Sequence, residues 1–425
     1  MKVHFAYGTK GLDLDIPDDL HAEVVRAKPE QPLADPHAAL IAACEKPLMT
    51  KSLRVLLEKR SQGKICVVIS DSTRPVPSKI IMTALCEIFR QCEIPDEEIQ
   101  ILIATGLHRK STPAEIKGMI GQEFMDRFDI INHVAEDSES LEYLGENSFG
   151  TPVYINKVYL NAAFKIITGY CEPHFFAGFA GGRKSIVPGI AGESTITANH
   201  SAKNIASSNA RFGILKNNPI YEDALEIAKM PRVRPDFLVN VCINPQHQIT
   251  KVVAGALQAY NELVQYQEQL CFFPIKEPYD VIISGNGGAP LDLNLYQAVK
   301  SMAIGELGVK KGGTVITVNE CRDGVGQPKF QELINLGICA EEMFTKVSAG
   351  EIRCKDQWEI QALARVLTHA DVYVVSSMTP EELGKIGLKY AKTVNDALVE
   401  CRKKYGDRMR VLILPDGPAI IPKLI

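Results

Sequence analysis

The chain has no surplus of positive charge. Its 47 lysines and arginines stand against 51 aspartates and glutamates, a formal net charge of −4. Neutralising phosphates takes clustered Lys and Arg, which are missing, so no nucleic-acid partner is expected. No apolar run approaches the roughly 18 residues that span a bilayer, so no membrane partner is expected either. The 11 cysteines include no CxxC pair. The start, MKVHFAYG, has neither a basic nor an apolar leader region, so free thiols in a reducing cytoplasm are expected. Both common glycine fingerprints for nucleotides are also missing. GFAGGRKS approaches a phosphate loop, but Arg183 separates Gly182 from Lys184 and breaks the register. The stretch from Ser284 has Gly285 and Gly287 but Pro290 where a third glycine belongs. There is no internal repeat and no low-complexity tract.

What is present is an ordinary globular composition, 46% hydrophobic and 23% charged, in a chain of 425 residues, long enough for two or three cores. Strand and helix patterns alternate along it. A buried strand from Lys64, ICVVIS, runs into Asp71-Ser72-Thr73-Arg74, and an amphipathic helix follows from about Ser78 to Cys92. A second strand, IQILIAT, leads to Gly106-Leu107-His108-Arg109. Thr112-Pro113-Ala114-Glu115 then combines an N-cap, a first-turn proline and a capping-box glutamate, so a helix starts there. If the two strands are neighbours, His108 lies beside the loop of Asp71 and Arg74. The strand AFKIITGY delivers the chain to Gly169. A helix capped by Asn218-Pro219, a strand FLVNVCIN and a helix over Gly255–Cys271 follow.

Phe272–Pro278 is expected to be a linker, after which strands YDVIISG, GTVITV, DVYVVS and MRVLIL alternate with helices, one of them opened by Thr379-Pro380-Glu381-Glu382. The pattern predicts an α/β protein of two domains, 1–273 and 279–425. Each has a mainly parallel sheet flanked by helices, and the active site is expected in the interdomain cleft. The tail after MRVLIL is a candidate to pack back on the first domain.

Gly169–His200 carries the chemistry. It holds Lys184 among five glycines between Gly178 and Gly192, with His174 before and His200 after. Glycines there would let the main chain approach a ligand and take positive φ. A lysine in such surroundings is a candidate nucleophile or covalent anchor. His108, His174 and His200 are each unremarkable alone but form a set at strand ends. Two could serve as general base and general acid, and the third could bind a metal. One histidine does not make a protein metal site, so most ligands would have to come from a cofactor. His133, His247 and His369 have no such surroundings and are read as structural. Gln297 and Lys300 lie three apart on one helical face. With Arg74, Lys300 would offer two cations to an anionic substrate, the plain alternative being solvated surface charge. Trp358, the only tryptophan, is a core anchor or a pocket wall.

TRPVP, TGLH, EPHFFAGFAGGRKSIVPGIAGE followed by ANH, and LYQAVK occur in this order, and the chain in this respect resembles the lactate racemase family over almost its whole length. The resemblance implies a nickel-pincer nucleotide, a pyridinium mononucleotide with a thioamide and a thiocarboxylate, tethered through Lys184, with His200 on the nickel. It implies acid–base roles for His108 and His174 and cofactor binding by Asp71, Ser72, Thr73 and Arg74. Arg74, Gln297 and Lys300 would hold the substrate carboxylate, with Tyr296 and Trp358 as neighbours. Phe175 and Phe176 are candidates to line the substrate's side-chain pocket. The activity implied is racemisation of a 2-hydroxy acid, lactate first, through a 2-keto acid, in an enzyme loaded by cofactor-biosynthesis proteins. Relatives in the family act on other 2-hydroxy acids. Two other classes stay open: a nicotinamide dehydrogenase, which would need the missing fingerprint, and a non-catalytic nickel or nucleotide carrier, which would leave His108 and His174 without a role.

Overall fold

The structure, a computed structural model, describes residues 1–354 and 357–425. The chain forms two units. The N unit comprises Pro29–His200 and Asn209–Glu268, and the C unit comprises Met1–Lys28, Ser201–Ser208 and Gln269–Ile425.

The N unit is built on a six-stranded sheet: β1 (Ile65–Ser70), β2 (Ile99–Ala104), β3 (Asp129–Asn132), β4 (Phe164–Tyr170), β5 (Phe237–Ile243) and β6 (Ile249–Gly255). Its spatial order is β6-β5-β4-β1-β2-β3. All pairs are parallel except β5–β6. Continuous apolar runs such as ICVVI mark strands covered on both faces. Ile65, Val67 and Ile69 pack with Ile101 and Ile103 against helix α1 (Ser78–Gln91), which contributes Ile81, Leu85 and Phe89. Each such side chain, fully buried, stabilises the fold by about 1.5–3 kcal/mol. Helix α2 (Pro113–Ile120) has the full capping box, with Thr112 and Glu115 reciprocally bonded and Pro113 in the first turn. From β1 the chain goes outward to β2 and β3, then returns on the other side as β4. The strand ends at β1 and β4 therefore form the topological switch point, where open α/β sheets bind ligands.

One expectation fails here. The helix read over Gly255–Cys271 begins only at Asn261, after a short 3-10 turn, because Ile249–Gly255 forms the antiparallel edge strand β6. The β-branched run ITKVV finds backbone partners along β5, and pairing overrides the helical pattern at its end.

In the C unit, a second sheet contains β7 (Tyr279–Gly285), β8 (Val309–Val318), β9 (Asp371–Val375), β10 (Lys389–Tyr390) and β11 (Val411–Leu414). Its order is β10-β9-β8-β7-β11, closed at the edge by Ala22–Val24, and every pair is parallel. Met1–Lys28 belongs to this unit because Val3 and Phe5 sit in its core beside Val281 and Ile283. The stretch read as a linker is partly a strand, since Phe272–Ile275 pairs with Ile421–Leu424 of the tail. Thr379-Pro380-Glu381-Glu382 opens only a single 3-10 turn, Glu381–Leu383. Gly384 ends it at φ +72, outside the right-handed helical region, where an added Cβ would meet the Ile334 carbonyl at 2.7 Å.

Candidate active site

Asp71 follows β1 and is 4% exposed. Its Oδ1 accepts the Thr73 backbone N–H at 3.2 Å and the Thr73 hydroxyl at 2.7 Å, an Asx-type turn that sets the loop. Its Oδ2 lies 2.7 Å from Nδ1 of His108. The pair meets because β1 and β2 are parallel neighbours whose last residues, Ser70 and Ala104, stand in register. His108 then sits on a turn closed by its own N–H to the Thr105 carbonyl, 2.9 Å. Burial alone would raise the Asp71 carboxyl, but hydrogen bonds from His108 and Thr73 outweigh it and hold the group below the usual carboxylate range. An ionised Asp71 can only accept, so Nδ1 of His108 carries a proton, and in the neutral ring the lone pair is at Nε2. Ser72, Thr73 and Arg74 are exposed. An open groove of about 820 Å³ begins at Ser72 and Arg74 and passes Lys79 and Glu115.

Beyond β4 the chain makes a small hairpin, pairing Pro173–His174 with Gly178–Phe179, then a 3-10 turn over Gly182–Ser185 that carries Lys184. Helix α3 (Glu193–Asn199) ends at His200. The turn is stitched to the strands: the Gly182 N–H donates to Asn240 Oδ1 at 2.8 Å and the Ser185 hydroxyl to the Thr168 carbonyl at 2.8 Å. The Gly106 N–H donates to the Gly189 carbonyl at 3.0 Å, joining the His108 loop to the turn after Lys184. Arg183, which spoils the phosphate-loop register, is an internal brace. Its buried guanidinium donates to the Ala177 carbonyl at 2.7 Å and lies over the Tyr221 ring at 4.4 Å.

Several of the glycines take the positive φ expected of them, and their missing side chains make room for the protein itself. Gly181 and Gly182 have φ of +83 and +55, yet the space a side chain would fill belongs to the protein. A Cβ on Gly181 would meet the Tyr170 carbonyl at 2.4 Å, and one on Gly182 the Tyr260 ring at 2.9 Å. Gly178, Gly189 and Gly192 are packed equally closely on Ile214, Ser185 and Tyr154. The run lets the backbone pack closely on itself.

Three of the expected residues share one neighbour, Phe176. The His174 ring lies 4.5 Å from the Phe176 ring at 75°, the His200 ring lies 5.2 Å away at 86°, and Lys184 Nζ is 5.9 Å from its centroid. His200 is buried, and burial together with the Lys184 charge pushes its pKa down to about 3, so the ring is neutral. His174 Nδ1 accepts the Ala177 N–H at 3.3 Å, which places the proton of its neutral ring on Nε2. His108 and His174 are thus set in opposite tautomers. Of the histidines read as structural, His133 is fully buried between the Ala191 carbonyl at 2.9 Å and Asn156 at 3.1 Å, and burial pushes its pKa down to about 4. Among the described residues no group of three or more His, Cys, Asp or Glu could hold a metal ion, so a metal here needs ligands from elsewhere.

In the C unit, helix α5 (Leu295–Glu306) is capped by Asn294, which accepts the Gln297 N–H at 3.0 Å. Lys300 Nζ donates to Gln297 Oε1 at 3.1 Å, so the two form one polar face. Tyr296 packs edge-on against Phe330 at 5.5 Å. Trp358 stands in the first turn of helix α6 (Gln357–His369), partly buried, and α6 is tied to α5 by a buried Arg365–Glu306 pair.

The pairing of Asp71 with His108 follows from the two neighbouring polar strand ends, as the sequence suggests, but one relationship is not visible there. Phe176 is the common contact of Lys184, His174 and His200, and no local pattern marks it.

The lactate racemase N-terminal domain family matches residues 7–213 and the lactate racemase C-terminal domain family residues 275–422. A lactate racemase of Thermoanaerobacterium thermosaccharolyticum is 35% identical over 425 residues, 99% of this chain and 98% of that protein. One of Lactiplantibacillus plantarum is 37% identical over 373 residues, 86% of this chain and 87% of that protein. The lactate racemase apoprotein structure from T. thermosaccharolyticum superposes with a TM-score of 0.93 at 34% identity, each chain fully covered. A protein from Thermotoga maritima, at 18% identity, shares the fold with a TM-score of 0.65, covering 93% of this chain and all of that one.

Proposed function

The chain belongs to the lactate racemase family, and from that premise we propose that it is an isomerase that interconverts the enantiomers of a 2-hydroxy acid, lactate first. The observation that carries this reading is the gathering of Lys184, His174 and His200 around Phe176, within a sheet whose neighbouring strand end holds the His108–Asp71 pair.

The residues suit a nickel-pincer nucleotide. A buried, neutral imidazole at His200 is the form that donates to a metal, and Lys184 offers an amine against the same phenyl ring for a covalent tether. The loop Asp71–Arg74 is assigned to holding the nucleotide. When bound, the group supplies the acceptor and donor for the hydride of C2, which no side chain here supplies. Separate biosynthetic proteins would load it.

The chain's own part is proton handling and grip. His108 takes the hydroxyl proton at Nε2 while Asp71 stabilises the resulting imidazolium through Nδ1. That leaves a planar 2-keto acid. His174, in its protonated form, would give the Nε2 proton to the keto oxygen on the opposite side of C2, and the reverse reaction exchanges the two roles. We assign substrate binding to Arg74 within the N unit and, within the C unit, to the Gln297–Lys300 face with Tyr296 and Trp358. Those cations also oppose the charge that develops on oxygen.

The test is to load the protein with cofactor, measure intact mass after denaturation, and follow one pure enantiomer of lactate without added nicotinamide. A mononucleotide adduct on Lys184, absent from Lys184→Arg, together with racemisation, is expected. Strict dependence on added nicotinamide, or an unmodified Lys184 in active protein, defeats the reading. A panel of other 2-hydroxy acids tests lactate as the preferred substrate.

A further inference from the structure

Three functional residues have neighbours that dock on one short helix. Helix α4 (Pro219–Lys229) is capped by Asn218, which is fully buried. Asn218 Nδ2 donates to the Phe176 carbonyl at 2.9 Å, while its Oδ1 accepts the Ile220 N–H at 3.1 Å as the cap. One turn on, the Tyr221 ring carries the guanidinium of Arg183, the residue before Lys184. Asn199, the residue before His200, donates Nδ2 both to the Ile220 carbonyl at 3.0 Å and to Asp223 Oδ2 at 2.7 Å. Asn199 is 1% exposed and Asp223 is 0% exposed.

A buried carboxylate is costly to desolvate, and packing alone would be served as well by an apolar residue. Asp223 instead collects donors from two places. Asn147 and Thr151 reach it from one loop, the Thr151 hydroxyl at 3.1 Å, and Asn199 reaches it from the end of α3. The first two tie a surface turn to the helix. The third fixes the last helical residue before His200, whose ring meets the edge of Phe176.

We propose that α4 is the positioning element of the site, and that Asp223, acting through Asn199, sets the placement of the His200 ring against Phe176. The nickel consequence rests on the functional reading above, but the placement of the ring does not. Asn218, Arg183 over Tyr221, and Asn199 on Asp223 give Phe176, Lys184 and His200 a common reference. Tilting any one relative to the others requires breaking a buried contact to α4.

The experiment compares Asn199→Ala with Thr151→Val, which removes a different donor from the same carboxylate oxygen. In crystals of the cofactor-free proteins, Asn199→Ala is expected to move the His200 ring off the Phe176 edge, and Thr151→Val to leave it in place. In cofactor-loaded proteins held against a chelator, the nickel half-life should shorten about 10-fold or more in Asn199→Ala, the range typical of groups that orient a metal ligand. In Thr151→Val it should stay within about twofold of the parent, with melting temperature measured alongside. Asp223→Asn, which keeps the volume, is expected to move both readouts in the direction of Asn199→Ala by a smaller amount. An unmoved His200 ring in Asn199→Ala crystals overturns the proposal. So does a nickel half-life that tracks melting temperature equally in both variants. A parent protein that takes up no nickel adduct at Lys184 defeats the functional reading instead, and the crystals still decide the placement of His200.

Discussion

Nδ1 of His108 and Oδ2 of Asp71 are 2.7 Å apart across the ends of two adjacent parallel strands. The carboxylate holds the ring with its proton on Nδ1 and its lone pair outward, the state a general base needs. Replacing Asp71 with Asn keeps the size but offers an N–H to the ring, which favours the other tautomer. In Asp71→Asn, kcat is expected to fall by about 100-fold or more, in the range that general acid–base catalysis contributes, with a smaller change in KM. Steady-state assays from each enantiomer would check this, and an unchanged kcat would remove His108 from the proton path.

His133 sets a pH dependence of stability. Its folded pKa of about 4 lies below the ordinary histidine value near 6.5, so the unfolded chain binds more protons between the two. Its contribution is present in full above about pH 6.5 and is lost as pH falls toward 4, amounting to roughly 3 kcal/mol at most. Urea unfolding from pH 4 to 7 should show that slope added to the one from His200, whose pKa is also pushed down, and His133→Gln should remove the His133 share of it. Asp71 acts at lower pH. Its depressed carboxyl stabilises the fold above the usual carboxylate value near 3.9, and that contribution goes as pH falls further.

Gly181→Ala is expected to lower stability by about 2–4 kcal/mol, because it forces a side chain into positive φ and onto backbone rather than onto a flexible neighbour. Gly150→Ala has a similar φ but no atom within 4 Å of the new Cβ, so it should cost about 1 kcal/mol. The difference in denaturation midpoint isolates the packing role of the glycine run. Equal losses would mean that conformational strain alone accounts for it.

Lys300→Ala should raise KM for the hydroxy acid about 10-fold or more, the size expected for losing a charged hydrogen bond to a carboxylate, and leave Lys184 modification intact. Gln297→Ala removes the acceptor that orients Lys300 at 3.1 Å and should raise KM by less. Initial-rate kinetics against substrate concentration separate these outcomes from a fall in kcat. A KM unchanged in both variants would return the pair to solvated surface charge.

Much of this was legible in the residues. ICVVIS and IQILIAT declare themselves as buried parallel strands by mostly apolar runs rich in β-branched residues, and Thr112–Glu115 spells out its own cap. The partnership of His108 with Asp71 needed only that those two strands be neighbours. What stayed hidden depends on contacts distant along the chain. Nothing local tells Ala22–Val24 that its partner is Val411–Leu414. Nothing local tells ITKVVAG to prefer an edge pairing over joining the helix after it. The glycines mark the right segment, but composition records that space is needed and not what occupies it. Phe176 stands out only as a candidate to line a pocket, and Asn218 and Asp223 look like ordinary cap and core residues, until α4 brings the three segments together.

Splitting the acid and base roles between a protonated and a neutral ring, as proposed for His174 and His108, would leave a trace after each turnover. A conversion that enters through one imidazole and departs through the other ends with the protons interchanged, a form of the enzyme suited to the return journey. Restoring the starting form calls for proton exchange with bulk water, and His108, with 49% of its side chain open to solvent, has that access. At high flux this recovery becomes part of the cycle. A heavy-water solvent should then slow turnover near saturation more than at trace substrate, and isotopically labelled product should be driven against its own gradient while net conversion proceeds.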